Sequence, residues 1–207
     1  MIQSMKRRTV IQSLGAWAVS AGILGGVVSC AKEGPSFTAI DLTGADYAKG
    51  FSLHDHNGQL RTLKDFQGKI VMVFFGYTHC PDVCPTSLSE MATIRQLLGP
   101  DGERVQGLFV SVDPERDQPD MLKAYMQAFD PSFLALVPTP DELVPLAKDF
   151  KVYFKKVEGP TPTSYTMDHT AGSYVFDTRG QLRLFTRYGT PPEKTAADLR
   201  ILLQQAP

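Results

Sequence analysis

The sequence predicts a mixed α/β fold in which one central sheet is flanked by helices and opened by an N-terminal antiparallel hairpin. Three observations lead there. Ile70, Val71, Met72, Val73, Phe74 and Phe75 form an unbroken apolar run, as a strand does when both its faces are covered. Strand-like and helix-like stretches alternate around that run, the pattern of a sheet with helices packed on it. The chain has 207 residues, 43% hydrophobic and 21% charged, which suits one domain with an ordinary core plus a short appendage.

Taken in order, residues 51–54 and 59–62 flank Asn57-Gly58, a strong hairpin-turn dipeptide. Residues 69–75 supply the central strand. Over residues 85–98, Leu88, Met91, Ile94 and Leu98 recur at spacings of three and four, which predicts an amphipathic helix with Pro85 in its first turn. A second strand over 105–112 ends at Asp113-Pro114, and Asp117 reads as the cap of a helix over 119–129. Thr139 and Pro140 open another helix, to about residue 150. Residues 152–156 read as a short strand and 158–168 as a Pro-, Thr- and Gly-containing loop, of a length that is often functional. A hairpin, 173–176 and 182–188, turns around Asp177–Gly180, and a helix over 192–203 closes the fold. No internal repeat or second domain is evident.

The first thirty residues differ in character. Lys6, Arg7 and Arg8 precede an uncharged stretch, 10–28, rich in small and apolar residues and ending at Ser29 and Cys30. That is the layout of an export signal. Gly15, Gly22, Gly25, Gly26, Gln12 and Ser13 make it a poor spanning helix of roughly 20 residues. Val27-Val28-Ser29-Cys30 resembles the lipobox of bacterial lipoproteins, which makes Cys30 the lipidated mature N-terminus and tethers the domain at the periplasmic face of a membrane. The alternative is an uncleaved signal anchor, and Arg7-Arg8 also fits a twin-arginine signal. The expected organisation is an export signal over 1–29, a lipid-anchored tether over 30–50, and a metal-binding domain over 51–207.

A formal net charge of −1 and a pI near 6.4 provide no basic field for a polyanion, so nucleic acid is excluded as the partner class. Loss of residues 1–29 removes three basic residues and no acidic ones, leaving 18 basic against 22 acidic.

With Cys30 assigned to lipid, the remaining thiols are Cys80 and Cys84, where strand becomes helix. In an oxidising compartment such a pair is read either as a disulfide or as a metal site. Four residues apart, the two sulfurs share one face if both lie in the first helical turn, and a helix N-terminus favours the thiolate needed for both chemistries. If His169 joins them, two soft thiolates and one imidazole suit Cu(I) and tolerate Cu(II). Zinc would take a fourth ligand from Asp82, Asp168, His79 or water. His79 is read as pointing away from its neighbour's partner, and His54 and His56 as solvated. Asp168 is a candidate for orienting the His169 ring, whereas Asp113 and Asp117 read as a turn and a cap, and Phe74, Phe75 and Tyr77 as core.

The stretch Phe-Phe-Gly-Tyr-Thr-His-Cys-Pro-Asp-Val-Cys-Pro-Thr, residues 74–86, resembles the signature of the SCO/SenC family of copper proteins. Ser-Val-Asp-Pro-Glu-Arg-Asp at 111–117, Met-Asp-His-Thr at 167–170 and Gly-Ser-Tyr-Val-Phe-Asp at 172–177 follow in that family's order. The resemblance spans roughly residues 51–203. It implies a thioredoxin-like fold and copper ligation by Cys80, Cys84 and His169. It also implies a metallochaperone role in assembling the binuclear copper centre of cytochrome c oxidase, with that oxidase subunit and a periplasmic copper donor or thiol reductant as partners. The alternative is a thiol-disulfide reductase, with Cys80 and Cys84 catalytic, that keeps the oxidase's copper-binding cysteines reduced. The Cys-x-x-x-Cys spacing, one longer than in thioredoxins, makes general disulfide catalysis less favourable.

Overall fold

A computed structural model describes residues 36–161 and 164–205. The expected export signal, Cys30 as the expected lipidation site and the first residues of the expected tether lie outside the described residues. Among the described residues no helix is long and apolar enough to cross a membrane.

Among the described residues the main sheet has six strands, in the order β1 (Ile40–Asp41), β10 (Leu182–Arg187), β9 (Gly172–Phe176), β4 (Ile70–Gly76), β5 (Val105–Ser111) and β6 (Leu134–Leu136). Its centre is β4 (Ile70–Gly76), every residue of which is buried. This strand pairs in parallel with β5 (Val105–Ser111) and antiparallel with β9 (Gly172–Phe176). Alternate side chains of β4 enter different packing layers: the Phe74 ring neighbours Phe109, whereas Phe75 meets Phe150 and Tyr174. That double burial is why the strand shows no polar alternation. Each fully buried aromatic contributes roughly 1.5–3 kcal/mol by removal from water. At the flanks, β10 (Leu182–Arg187) pairs antiparallel with β9, and β6 (Leu134–Leu136) runs parallel to β5.

Helix α1 (Val83–Leu97) packs on β4 and on α4 (Pro192–Gln204), and α2 (Pro119–Gln127) packs on β6. Helix α3 (Pro140–Asp149) opens with the predicted cap: Thr139 Oγ1 accepts from the Glu142 N–H, while the Glu142 carboxylate accepts from the Thr139 N–H at 2.8 Å. The opening hairpin is β2 (Ser52–His54) and β3 (Leu60–Thr62), with Gly58 at φ +76° in its turn. Two further strands, β7 (Phe154–Val157) and β8 (Thr166–His169), form a separate antiparallel ribbon with Phe154 opposite His169.

Four expectations are corrected. The fold takes up the chain well before residue 51: β1 (Ile40–Asp41) pairs with β10, and Ala48 is fully buried. The Asp198 carboxylate accepts from the N–H groups of Thr38 and Ala39 at 2.8–3.0 Å. Ile40 and Asp41 form an edge strand, and the Asp198 side chain anchors the residues just ahead of it, so this segment is not a free tether. Second, the expected loop over 158–168 ends early because Thr166–His169 are strand residues of the ribbon. Third, His56 is buried: its N–H donates to the Ala135 carbonyl and its Nδ1 accepts from the Ala135 N–H. The hairpin thus seals the outer edge of β6, a three-residue strand too short to show a period. His54 is exposed, as expected. Fourth, Asp117 does not cap α2, whose cap position is Gln118.

Asp198→Ala should leave the Thr38 and Ala39 N–H groups without their acceptor and cost about 1–3 kcal/mol. A lower urea midpoint, with faster amide exchange at Thr38 and Ala39, is the expected measurement.

Candidate metal centre

The chain leaves the carboxyl end of β4, turns through Tyr77–Asp82 and enters α1. Cys80 lies in that turn, where its N–H donates to the Tyr77 carbonyl at 3.3 Å. Cys84 is the second residue of α1, and its N–H points at Cys80 Sγ from 3.5 Å. The helix begins at Val83, two residues before the expected start, which brings Cys84 but not Cys80 into its first turn. Cys84 is completely buried and Cys80 partly exposed, and both are free thiols.

Gly76 makes room for the buried sulfur. A Cβ at this position would stand 2.9 Å from Cys84 Sγ, 2.7 Å from the Phe74 ring and 2.8 Å from the Phe109 ring. The glycine in Phe-Phe-Gly-Tyr is the signal in the sequence that could have marked this close approach.

His169, at the end of β8, completes the group. Its Nδ1 lies 3.1 Å from the Thr170 carbonyl, an acceptor only, so Nδ1 carries the proton and Nε2 carries the lone pair. Nε2 faces Cys84 Sγ at 3.4 Å. The rings of Phe74 and Tyr77 stand nearly perpendicular to the imidazole, each with its centroid 5.9 Å away. Phe74 and Tyr77 are core residues as expected, and they also wall the imidazole. The orienting hydrogen bond goes to Thr170 and not to Asp168, whose side chain is exposed.

One ligand atom from each of Cys80, Cys84 and His169 lies within 4.8 Å of the others. Donors bonded to one ion at about 2.0–2.3 Å stand roughly 3.5–4 Å apart in a trigonal arrangement. The three groups therefore fit a single metal ion with little movement. Burial pushes the Cys84 thiol well above its ordinary value, which overrides the helix N-terminus invoked from the sequence. It also pushes His169 down, keeping the imidazole neutral and its lone pair available at neutral pH.

Two buried carboxylates hold the surrounding loops, and sequence reasoning assigned them lesser roles. Asp117 accepts from the Thr78 N–H at 3.1 Å, from Thr78 Oγ1 at 2.6 Å and from Ser111 Oγ at 2.6 Å. It ties the cysteine turn to the end of β5, although burial raises its pKa. Asp113 accepts from the Tyr165 hydroxyl at 2.8 Å and pairs with Arg116. The Arg116 guanidinium lies 3.5 Å from the Tyr165 ring centroid and donates to the Tyr165 carbonyl at 2.9 Å. That clamp secures the chain just ahead of β8. His79 is exposed and stands outside the three-donor group.

Two outcomes follow from this geometry. In the native protein a thiol-alkylating reagent should modify Cys80 well before Cys84, and peptide mass spectrometry reads the order. Gly76→Ala should lower stability by about 1–3 kcal/mol through overpacking and displace Cys84 Sγ. Its metal affinity should fall more than that of a surface variant.

Residues 41–204 match the family described as SCO1/SenC. A solved structure of ScoI from Bradyrhizobium japonicum with copper bound is 43% identical, with a TM-score of 0.67, covering 74% of this chain and 97% of that one. The mitochondrial SCO2 protein of Saccharomyces cerevisiae is 38% identical over 133 residues, a match that spans 63% of this chain and 44% of that protein. A SCO1/SenC family lipoprotein from Bacillus anthracis is similar at 26% identity and a TM-score of 0.64, covering 74% of this chain and 92% of that one. The six-stranded mixed sheet with its packed helices is accordingly a thioredoxin-like fold, and the chain belongs to the SCO1/SenC family.

Proposed function

We propose that this protein is an extracytoplasmic copper carrier. It holds one copper ion between Cys80 Sγ, Cys84 Sγ and His169 Nε2 and delivers it to the binuclear copper centre of cytochrome c oxidase. The observation that carries the reading is the convergence of three donors from segments 85 residues apart on one point. Two thiolates and a neutral imidazole are soft to borderline donors, a set that favours Cu(I) and accommodates Cu(II). The copper-bound relative at 43% identity supports the choice of metal. Cys30 is the lipid attachment point in this reading, supported by the sequence around it and by the lipoprotein relative. It places the centre at the periplasmic face, within reach of a copper donor and of the oxidase.

A second reading has its own support. The partly exposed Cys80 beside the buried Cys84 is the asymmetry that thiol exchange uses. The Cys80 thiolate would attack a disulfide in the oxidase subunit, releasing one partner thiolate and forming a mixed disulfide. Cys84 would then displace the second partner thiol and leave a Cys80–Cys84 disulfide, which a periplasmic reductant must reopen. His169 has no part in that sequence.

Anaerobic Cu(I) titration of the full chain separates the two. The native protein should bind one equivalent, and His169→Ala should lose about 10–100-fold in affinity with a changed Cu(II) spectrum. An unchanged affinity and spectrum would remove His169 and with it the three-donor site. Dithiol exchange by the same variant should be unaffected.

The pH dependence has a definite sign. Copper must displace the proton that burial holds on Cys84, while His169, pushed down, competes little at neutral pH. Apparent affinity should therefore rise with pH through the neutral range, by up to about tenfold per pH unit for each thiol proton displaced. Competition titrations at several pH values measure the slope.

A further inference from the structure

The ribbon of β7 and β8 changes its hydrogen bonding one residue beyond the strands. Phe154 stands opposite His169, so Tyr153 and Thr170 make the next cross-strand pair. The Thr170 N–H donates to the Tyr153 carbonyl at 2.9 Å. In an antiparallel ladder, residues paired in that way ordinarily exchange two main-chain bonds, each N–H donating to the other's carbonyl. The return bond takes another course. The Tyr153 N–H donates to Thr170 Oγ1, also at 2.9 Å, so a side-chain hydroxyl stands in the ladder where the main-chain carbonyl belongs.

That exchange of acceptors releases the Thr170 carbonyl for other use. It lies 3.1 Å from His169 Nδ1 and accepts from the ring there. The opposite nitrogen of the same ring, Nε2, is the one that faces Cys84 Sγ. A ladder carbonyl lies in the plane of the ribbon and points at the neighbouring strand, whereas side chains stand off its faces. A carbonyl that serves the His169 ring must therefore leave the ladder, and the Tyr153 N–H then needs a substitute acceptor. Thr170 supplies both oxygens from one residue.

We propose that Thr170 is a positioning residue of the metal centre: its hydroxyl takes the Tyr153 N–H so that its carbonyl can hold the His169 ring with Nε2 turned toward Cys84. The inference rests on the reading of Cys80, Cys84 and His169 as the ligands of one metal ion. Thr170 contributes no ligand atom and acts through the imidazole alone. Hydrogen-bond partners of a metal-binding histidine set the ring's orientation and fix which nitrogen carries the proton. Here that partner is itself held in place, by main-chain groups of Tyr153 on the facing strand. Serine at this position keeps the arrangement, whereas valine has the same shape and no acceptor.

NMR couplings across hydrogen bonds test the ladder in the native full chain, with no variant needed. The Thr170 amide nitrogen should couple to the Tyr153 carbonyl carbon, and the Tyr153 amide nitrogen should show no coupling to the Thr170 carbonyl. A coupling of that second kind overturns the proposal. Thr170→Val should let the carbonyl return to the ladder. The nitrogen-15 shifts of the metal-free His169 ring should then move from a single Nδ1–H form toward a mixture with Nε2–H, while Thr170→Ser keeps the native form. In competition titrations Thr170→Val should lose about tenfold in Cu(I) affinity and change the Cu(II) spectrum, as for loss of an orienting partner, and Thr170→Ser should restore both. A Thr170→Val protein with a lower urea midpoint but the native ring form and native affinity has lost only structural support, and overturns the positioning role. Failure of the native protein to bind Cu(I) overturns the metal-centre reading instead, and the couplings and ring shifts of the metal-free protein still decide what Thr170 does.

Discussion

The antiparallel pairing of β4 with β9 is the constraint from which the centre follows. Phe74 stands opposite Ser173, so the carboxyl end of one strand lies beside the amino end of the other. Cys80 comes six residues after Phe74, and His169 comes four residues before Ser173. Both short leads therefore emerge at the same end of the sheet, although 85 residues separate Cys84 from His169. Ligand sites at the carboxyl ends of strands recur in open α/β sheets because the loops there converge while the strands stay rigid. Here the hydrogen-bond register of two buried strands carries the precision that a metal site demands.

The same packing makes the two sulfurs unlike each other. Cys84 occupies the space left by the missing side chain of Gly76, against Phe74 and Phe109, and is out of water. Cys80 sits in the turn and keeps contact with solvent. A fully buried pair would be slow to exchange its metal, and a fully exposed pair would meet oxidants and competing ligands freely. One sulfur on each side of that boundary allows the first bond to form or break at the surface while the second is protected. The imidazole, walled by Phe74 and Tyr77 and turned by the Thr170 carbonyl, is held on the protected side.

Much of this was legible in the residues. The unbroken apolar run gave away the central strand, Thr139 with Pro140 marked the start of a helix, and Asn57-Gly58 and Asp177–Gly180 marked turns that the structure contains. The two thiols and the imidazole that the motifs singled out do stand together. The failures share a physical cause, which is that long-range partners decided them. Ile40 and Asp41 form a strand because β10 offers an edge and Asp198 an acceptor, 159 residues beyond Ala39. His56 is buried because the edge of β6 needs closing. Asp117 turns from the helix it was expected to cap toward Thr78 and Ser111, donors that no local spacing reveals. Thr166–His169 become strand only by pairing with β7.

Asp117 shows why a buried carboxylate persists beside a site that takes up a cation. Left unpaired at this depth it would cost several kcal/mol, on the order of the penalty for an isolated buried charge. Three hydrogen bonds from Thr78 and Ser111 offset that cost and lock the cysteine turn onto the end of β5. Removing the carboxylate would leave the Thr78 and Ser111 hydroxyls seeking partners and release the turn that carries Cys80. Its negative charge also favours a cation nearby, because low-dielectric surroundings screen the attraction weakly. The group that anchors the loop and the group that biases the site toward a positive ion are therefore one residue. The fold retains both properties by keeping a single acid under the turn.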